Sequence, residues 1–332
     1  MLLKKIKSKK VNILIVGCGY TGFPLANLIS EQKINVIGYD INKDLINKLN
    51  SLNNKKKNKY LNFTSQANKI KNIDIILISL PTPLTKNFEP DLSYIDNFLK
   101  ASDKILRKNQ LMILESTTYP GTTDQILKKF LINKNFKIGK DYFLGYSPER
   151  IDPGRKIELN KVTKICSGST NKCKYLIKEF YKLFINKVEL VENNKTAEFV
   201  KIFENIFRSI NISLVNEMKM IADKFDVDIR EVINAASTKP YGFMKFEPGP
   251  GIGGHCIPVD PFYLTWKAKE YNIHTRFIEL AGEINNSMPL WIFEKINAHL
   301  MKKNIFIKKN KFLFIGATYK KNIADIRESP SI

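Results

Sequence analysis

The sequence predicts an α/β protein, with a doubly wound parallel sheet in its first half and an all-helical middle. The opening of a further α/β unit is expected at its end. Three observations carry this. Short apolar runs alternate with amphipathic stretches from Val11 to Val191, as strands alternate with helices in such sheets. From Thr196 to Phe225 the apolar residues Phe199, Ile202, Phe203, Ile206, Ile210, Leu214 and Met218 recur with helical spacing. After a second helical stretch, the apolar run Lys311 to Ile315 opens a new strand-like segment. A chain of 332 residues exceeds one ordinary core. The expected domains are 1–193, 194–303 and 304–332.

The first strand is Val11 to Val16, reached directly from a basic N-terminus. Gly17-Cys18-Gly19-Tyr20-Thr21-Gly22 follows, then a helix from Phe23 to Ser30 and a strand from Asn35 to Tyr39 that ends in Asp40. Strand, glycine turn, helix, strand and acid in that order form a dinucleotide-binding pattern, hence a Rossmann-like domain. Gly17 makes the turn, Gly19 lets the backbone approach a pyrophosphate, and Gly22 lets helix and strand pack closely. Asp40 is placed to bind ribose hydroxyls and to repel a 2′-phosphate, which favours NAD over NADP. The bland alternative is a glycine turn that binds nothing.

Asn53 to Lys59 reads as an exposed polar loop. Strands are expected at 73–80, 110–114 and 141–146, with helices at 92–106 and 122–131 between them. Their ends carry Pro81-Thr82-Pro83, Glu115-Ser116-Thr117-Thr118 and Ser147-Pro148-Glu149-Arg150. Ligands bind at the carboxyl ends of such strands, so these clusters are candidate site residues. Late strands at 162–167 and 187–191 flank a helix at 172–184. Helices follow at 196–225, 228–236, 262–271 and 277–300. Between the second and third of these lies a glycine- and proline-rich loop, Lys239 to Pro258, long enough to suggest function. It holds Gly253-Gly254-His255-Cys256, four residues before Asp260.

Composition narrows the classes. The formal net charge is +22, yet only seven of the 54 basic residues are arginine and they accompany no nucleic-acid motif. Lysines spread along the whole chain read as a solvated surface that also attracts anions. No apolar run reaches the ~18 residues of a membrane span, so no membrane partner is expected. Four cysteines without a Cys-x-x-Cys pair, and three scattered histidines, predict no metal site. Few cysteines and no secretory leader fit the cytoplasm. Cys18, Cys166 and Cys173 are expected to be structural.

Taken together, these motifs resemble the UDP-glucose/GDP-mannose dehydrogenase family over almost the whole chain, from about Val11. The set is specific: Gly17-x-Gly19-Tyr20-x-Gly22, Pro81-Thr82-Pro83, Ser116-Thr117, Ser147-Pro148-Glu149, Lys201-x-x-x-Asn205, and Gly253-Gly254-x-Cys256-x-Pro258-x-Asp260. Lys320 and Asp325-x-Arg327 resemble the family's entry into a UDP-binding domain. Within the family the chain looks most like the UDP-N-acetylglucosamine 6-dehydrogenases. Pro153 stands where UDP-glucose enzymes usually carry a second glutamate, and Val259 where they carry lysine before the aspartate.

The resemblance implies a four-electron oxidation of a UDP-sugar's primary alcohol to a uronic acid by NAD, through a Cys256 thioester. The product would be a cell-surface polysaccharide precursor. Lys201 and Asn205 would stabilise the oxyanion, Asp260 act as a base or hold water, Thr117 position that water, and Glu149 carry protons. NAD would be held by Gly17, Gly19, Tyr20, Thr21, Gly22, Asp40, Pro81, Thr82, Thr117 and Arg327. Glu149, Arg150, Lys201, Asn205, Arg208, Gly253 and Lys320 would contact substrate. The resemblance also implies a homodimer built on the central helices. The competing readings are a β-hydroxyacid or 6-phosphogluconate-type two-electron dehydrogenase, UDP-N-acetylmannosamine or UDP-glucose as substrate, and a non-catalytic NAD- or nucleic-acid-binding protein.

Overall fold

The computed structural model describes residues 1–150, 157–254 and 257–332. The chain forms two compact units, Met1–Lys201 and Ile202–Ile332. In the first, six strands make one parallel sheet: β1 (Asn12–Val16), β2 (Asn35–Tyr39), β3 (Leu61–Thr64), β4 (Ile75–Ile78), β5 (Gln110–Leu114) and β6 (Tyr142–Tyr146). Their order is β3-β2-β1-β4-β5-β6, so the winding reverses between β1 and β4. Two short strands, β7 (Lys164–Cys166) and β8 (Val188–Leu190), form a separate parallel pair. Hydrogen bonds from Ser167 N to Tyr146 O (2.9 Å) and Ser169 N to Leu144 O (3.0 Å) align that pair with β6.

The two-residue period of a strand sorts the core into two layers. Ile13 and Ile15 of β1, Ile75 and Leu77 of β4, and Leu111 and Ile113 of β5 face one layer. Leu14, Val16, Ile76, Ile78, Met112 and Leu114 face the other. Helices α1 (Leu2–Lys7), α2 (Gly22–Glu31) and α3 (Lys43–Lys56) contribute buried residues to the first layer. The second receives Ile95, Phe98 and Leu99 of α4 (Ser93–Ala101). It also receives Leu127 and Leu131 from a π-helical turn, Thr123–Lys128, that runs into α5 (Lys129–Asn133). Helix α6 (Asn171–Tyr181) covers the first layer through Leu176, Ile177 and Phe180. Burial on both faces explains why the strands read as unbroken apolar runs.

The structure corrects three expectations in this unit. The basic N-terminus does not lead straight into β1. It forms α1, because Leu2 and Ile6 are buried and Lys5 reaches Asp74 at 2.8 Å, beside Arg107 at 2.7 Å. The polar stretch from Asn53 is not a loop: α3 continues to Lys56 and ends at Lys57 in the left-handed region. It holds because Asn50 and Asn53, about one turn apart, bond the outer edge of β3. Asn50 accepts from Phe63 N (3.2 Å) and donates to Phe63 O (3.1 Å), and Asn53 donates to Leu61 O (2.6 Å). Covering an edge strand in this way satisfies its open backbone groups. That strand, β3, was itself not anticipated.

In the second unit, the long helix α7 (Asn194–Lys224, which begins in the first unit) is followed by α8 (Ile229–Ala236), α9 (Asp260–Lys269) and α10 (Arg276–Lys302). Asp228 caps α8 by accepting from Arg230 N at 2.9 Å. The apolar stripe expected on α7 has two edges. Ile202, Ile206, Val215 and Ala222 are buried, whereas Phe199, Phe203, Phe207, Leu214, Met218, Ile221 and Phe225 are exposed. The strand expected at 311–315 does not form, and Leu313, Phe314 and Ile315 are exposed. A strand needs a neighbour to pair its backbone groups, and among the described residues none pairs with this segment. No helix among them is long and apolar enough to cross a membrane.

One buried carboxylate ties the start of α7 to the loop after β5. Glu198 accepts from Gly121 N (2.5 Å), Thr123 N (2.8 Å) and Thr123 Oγ1 (2.7 Å), serving donors at the start of the following helix. Burial pushes its carboxyl up to about 7, against the pull of those donors. A carboxyl raised on folding stabilises most below its ordinary value, and that contribution is lost as pH rises through about 7. Urea denaturation of wild type and Glu198→Gln should therefore show the wild type's relative stability falling between about pH 5 and about pH 8. A difference that does not change with pH contradicts this assignment.

Candidate functional site

The site residues of the first unit come from the row where the strands end. Register pairs Val16 with Ile78, Ile78 with Leu114, and Leu114 with Tyr146. The next residues, Gly17, Ser79, Glu115 and Ser147, therefore emerge along one edge of the sheet. Thr82 Oγ1 donates to Thr117 O (2.7 Å) and Ser116 Oγ to Leu80 O (2.7 Å), which joins the segments after β4 and β5. The anticipated clusters are thus neighbours.

The turn after β1 fits a dinucleotide. A Cβ on Gly22 would lie 1.9 Å from Gly17 O, so only glycine lets α2 start so close to the strand. A Cβ on Gly19 would meet nothing within 4 Å, which leaves room for a ligand against that backbone. The first turn of α2 offers N–H groups suited to phosphate. Asp40 follows β2 and accepts from Cys18 N (2.9 Å) and Asn42 N (3.0 Å), which fixes the carboxylate beside the turn. A carboxylate has acceptor capacity beyond two bonds, so ribose hydroxyls remain compatible. Tyr20 stands exposed beside the turn, and Thr21 is the residue before α2.

Around Glu149 the structure adds groups that sequence reasoning missed. Lys164 Nζ lies 3.1 Å from Glu149 Oε2 and 3.5 Å from Glu115 Oε1, and all three side chains are buried. Tyr181 OH donates to Glu115 Oε1, and Lys164 Nζ lies 5.2 Å from the centre of the Tyr181 ring. Arg150 N donates to Glu149 Oε1 (2.7 Å), and its guanidinium bonds Thr163 O (2.8 Å). Burial raises the Glu115 carboxyl, with Lys164 opposing and Glu149 reinforcing the shift. Burial works against the Lys164 ammonium, yet Glu115 and Glu149 outweigh it and the net shift is upward. The available signal was a lysine within the strand expected at 162–167 and a glutamate directly after the apolar run 111–114.

In the second unit, Asn205 and Asp260 meet although 55 residues separate them: Asn205 Nδ2 donates to Asp260 Oδ2 at 2.5 Å. Asp260 is buried in the first turn of α9, where a carboxylate is favoured by the helix dipole. Asn205 was expected to donate to a substrate oxygen, and its amide here serves the carboxylate. Lys201 lies one helical turn earlier on α7.

The glycine-rich loop is held by backbone contacts. Gly249 N donates to Asn216 Oδ1 (2.8 Å), and Asn216 Nδ2 donates to Asn285 Oδ1 (3.0 Å), which joins α7 to α10. Gly254 N donates to Arg327 O (3.0 Å). A Cβ on Gly253 would lie 2.4 Å from Tyr319 Cβ and 2.7 Å from Glu328 O. The segment from Tyr319 to Pro330 is therefore pressed against the loop. Arg327 forms a fork with Asp325, its Nη2 2.7 Å from Oδ2. Arg208 and Lys320 are partly buried. Cys256 lies outside the described residues, as does Pro153. Of the other cysteines, Cys18, Cys166 and Cys173 are buried, and burial pushes the Cys166 thiol up to about 12 and the Cys18 thiol higher still. Thiols so held are poor nucleophiles.

Comparison with known proteins agrees with this geometry. Residues 11–185 match the NAD binding domain of the UDP-glucose/GDP-mannose dehydrogenase family, and residues 195–287 match its central domain. Protein CapL of Staphylococcus aureus is 37% identical over 97% of this chain and 78% of its own length. The UDP-N-acetyl-D-glucosamine 6-dehydrogenase of Salmonella typhi is 35% identical over 96% of this chain and 77% of its own. The solved UDP-D-ManNAc dehydrogenase of Pyrococcus horikoshii superposes with a TM-score of 0.89 at 31% identity, covering 96% of this chain and 79% of that one. The chain belongs to the UDP-glucose/GDP-mannose dehydrogenase family and is an NAD-dependent nucleotide-sugar dehydrogenase.

Proposed function

We propose that the protein oxidises the primary alcohol of UDP-N-acetylglucosamine to the uronic acid, with Cys256 carrying a thioester. The product would be a precursor for cell-surface polysaccharide made in the cytoplasm. The observation that carries the reading is the Asn205–Asp260 hydrogen bond, which joins the helix motif to the carboxylate four residues after Cys256. Relatives named for UDP-N-acetylglucosamine and for UDP-N-acetylmannosamine both resemble this chain, and the second sugar is the alternative substrate. Pro153 and Val259 favour either over UDP-glucose.

When bound, NAD would supply the hydride acceptor for the sugar carbon, one NAD molecule for each of the two oxidations. Gly17, Gly19, Tyr20, Thr21, Gly22 and Asp40 would hold it, with Pro81, Thr82, Thr117 and Arg327 completing its contacts. The Cys256 thiolate adds to the aldehyde and makes its carbon an able hydride donor. The thioester formed by the second oxidation is opened by water, which Thr117 positions and Glu149 deprotonates. Lys201 and Asn205 stabilise the oxyanion, an effect worth about 3 kcal/mol per donor. Asp260 holds Asn205 and serves as a base. Glu149, Arg150, Arg208, Gly253 and Lys320 contact the sugar nucleotide. In this reading residues 1–193 bind NAD, 194–303 carry the cysteine loop, and 304–332 belong to the UDP-binding part.

Reduced cofactor, followed by absorbance over a panel of UDP-sugars, tests the reaction. Two equivalents per sugar with UDP-N-acetylglucosamine support the proposal. One equivalent indicates a two-electron dehydrogenase, and turnover with another sugar alone reassigns the substrate. Cys256→Ala should abolish acid formation while leaving NAD affinity within about two-fold, because the thiol acts on the substrate carbon. Acid formed at the wild-type rate by that variant excludes the thioester.

We also propose a homodimer through the exposed apolar edge of α7. Phe203, Phe207, Leu214, Met218 and Ile221, with Phe225 just past the helix end, form a stripe too long for a monomer's surface without a role. Phe203→Asp with Leu214→Asp should halve the mass measured by light scattering. A dimer that survives both substitutions places the contact elsewhere.

A further inference from the structure

We propose that Lys164 is a positioning residue for Glu149, itself held by Glu115 and Tyr181. This rests on the reading of Glu149 as the group that takes the proton from the hydrolytic water.

Four elements converge to build the arrangement. Glu115 follows β5, Glu149 follows β6, Lys164 begins β7 and Tyr181 ends α6. The Lys164 ammonium spans both carboxylates, at 3.1 Å from Glu149 and 3.5 Å from Glu115. Its main chain is fixed by the bond from Lys164 N to Lys187 O at 2.9 Å, so the side chain starts from a set point. Tyr181 holds the far carboxylate through its hydroxyl. Leu25, Leu159, Val162 and Ile185 line a small cavity with Glu149, Lys164 and Arg150, so aliphatic side chains flank the pair on a side where Arg150 is the other charged group.

Burying one ammonium with two carboxylates is a poor way to stabilise a fold, since apolar groups of the same volume serve as well or better. The expense is explained if the arrangement sets the aim of one carboxylate. Glu149 is the member that follows the site segment of β6, and Glu115 lies deeper and keeps Lys164 from swinging away. Hydrolysis then proceeds as water adds to the thioester carbon, its proton passes to Glu149, the C–S bond breaks and the proton reaches the Cys256 sulfur. A misdirected Glu149 slows this step and leaves the acyl group on sulfur.

The test uses the purified protein with NAD and UDP-N-acetylglucosamine, or UDP-N-acetylmannosamine if the panel selects it. Lys164→Met alone strands two buried carboxylates, so the informative variant is Lys164→Met with Glu115→Gln, which removes a charge of each sign. Retained NAD binding shows that it is folded. Expected are a fall in kcat of tenfold or more, KM within about threefold, and an acyl-enzyme adduct seen by mass spectrometry. Glu149→Gln should accumulate the same adduct with kcat down on the order of 10²-fold or more. Adding it to the double variant should cost little further, because both changes act through one carboxylate. Wild-type kcat in the double variant, or a further loss equal to that of Glu149→Gln alone, overturns the positioning role. Unimpaired hydrolysis by Glu149→Gln instead overturns the reading of Glu149, and the inference with it.

Discussion

The candidate site residues of the first unit depend on the parallel register of β1, β4, β5 and β6. Because Val16, Ile78, Leu114 and Tyr146 lie in one row, the next residue of each strand leaves the sheet at the same level. A slip by one residue would move each strand's side chains into the opposite layer, and because both layers are mainly apolar it is the close-packed fit of each layer, not polarity, that opposes the slip. The core therefore enforces the register, and the register delivers glycine, serine and glutamate to one edge. The reversal of winding between β1 and β4 places the glycine turn where ligands of such sheets bind.

The second unit solves a different problem. The cysteine loop has no secondary structure among its described residues, so its shape is set by side chains and carbonyls from elsewhere. Asn216, buried in α7 and bonded to Asn285 of α10, accepts from Gly249 N within the loop, while Tyr319 and the Arg327 carbonyl close over its glycines. Buried polar groups are costly unless paired, and here the pairing of Asn216 with Gly249 N also fixes loop backbone. Asp260 then begins α9 with its carboxylate already engaged by Asn205.

Much of the fold was legible because its signals are local. The strands at 35–39 and 110–114 were bounded to the residue, and the glycine turn was recognised from its flanking elements. The misses share a cause. Helix α1 forms because Lys5 finds Asp74, α3 extends because Asn50 and Asn53 find β3, and the segment 311–315 finds no strand to pair with among the described residues. Each outcome depends on a partner distant in sequence. Lys164 was passed over for the same reason: a lysine in a short strand has meaning only beside Glu115 and Glu149.

By itself the sequence determined the α/β class, the dinucleotide turn, the helical middle and the family, since periodicity and motif spacing are properties of neighbouring residues. The tertiary structure alone decided which of those residues meet. It joined Asn205 to Asp260, gathered Lys164, Glu115, Glu149 and Tyr181 into one buried network, and split the α7 stripe into a buried and an exposed edge. Contacts between residues far apart along the chain arise only when the core packs, and no local pattern encodes them.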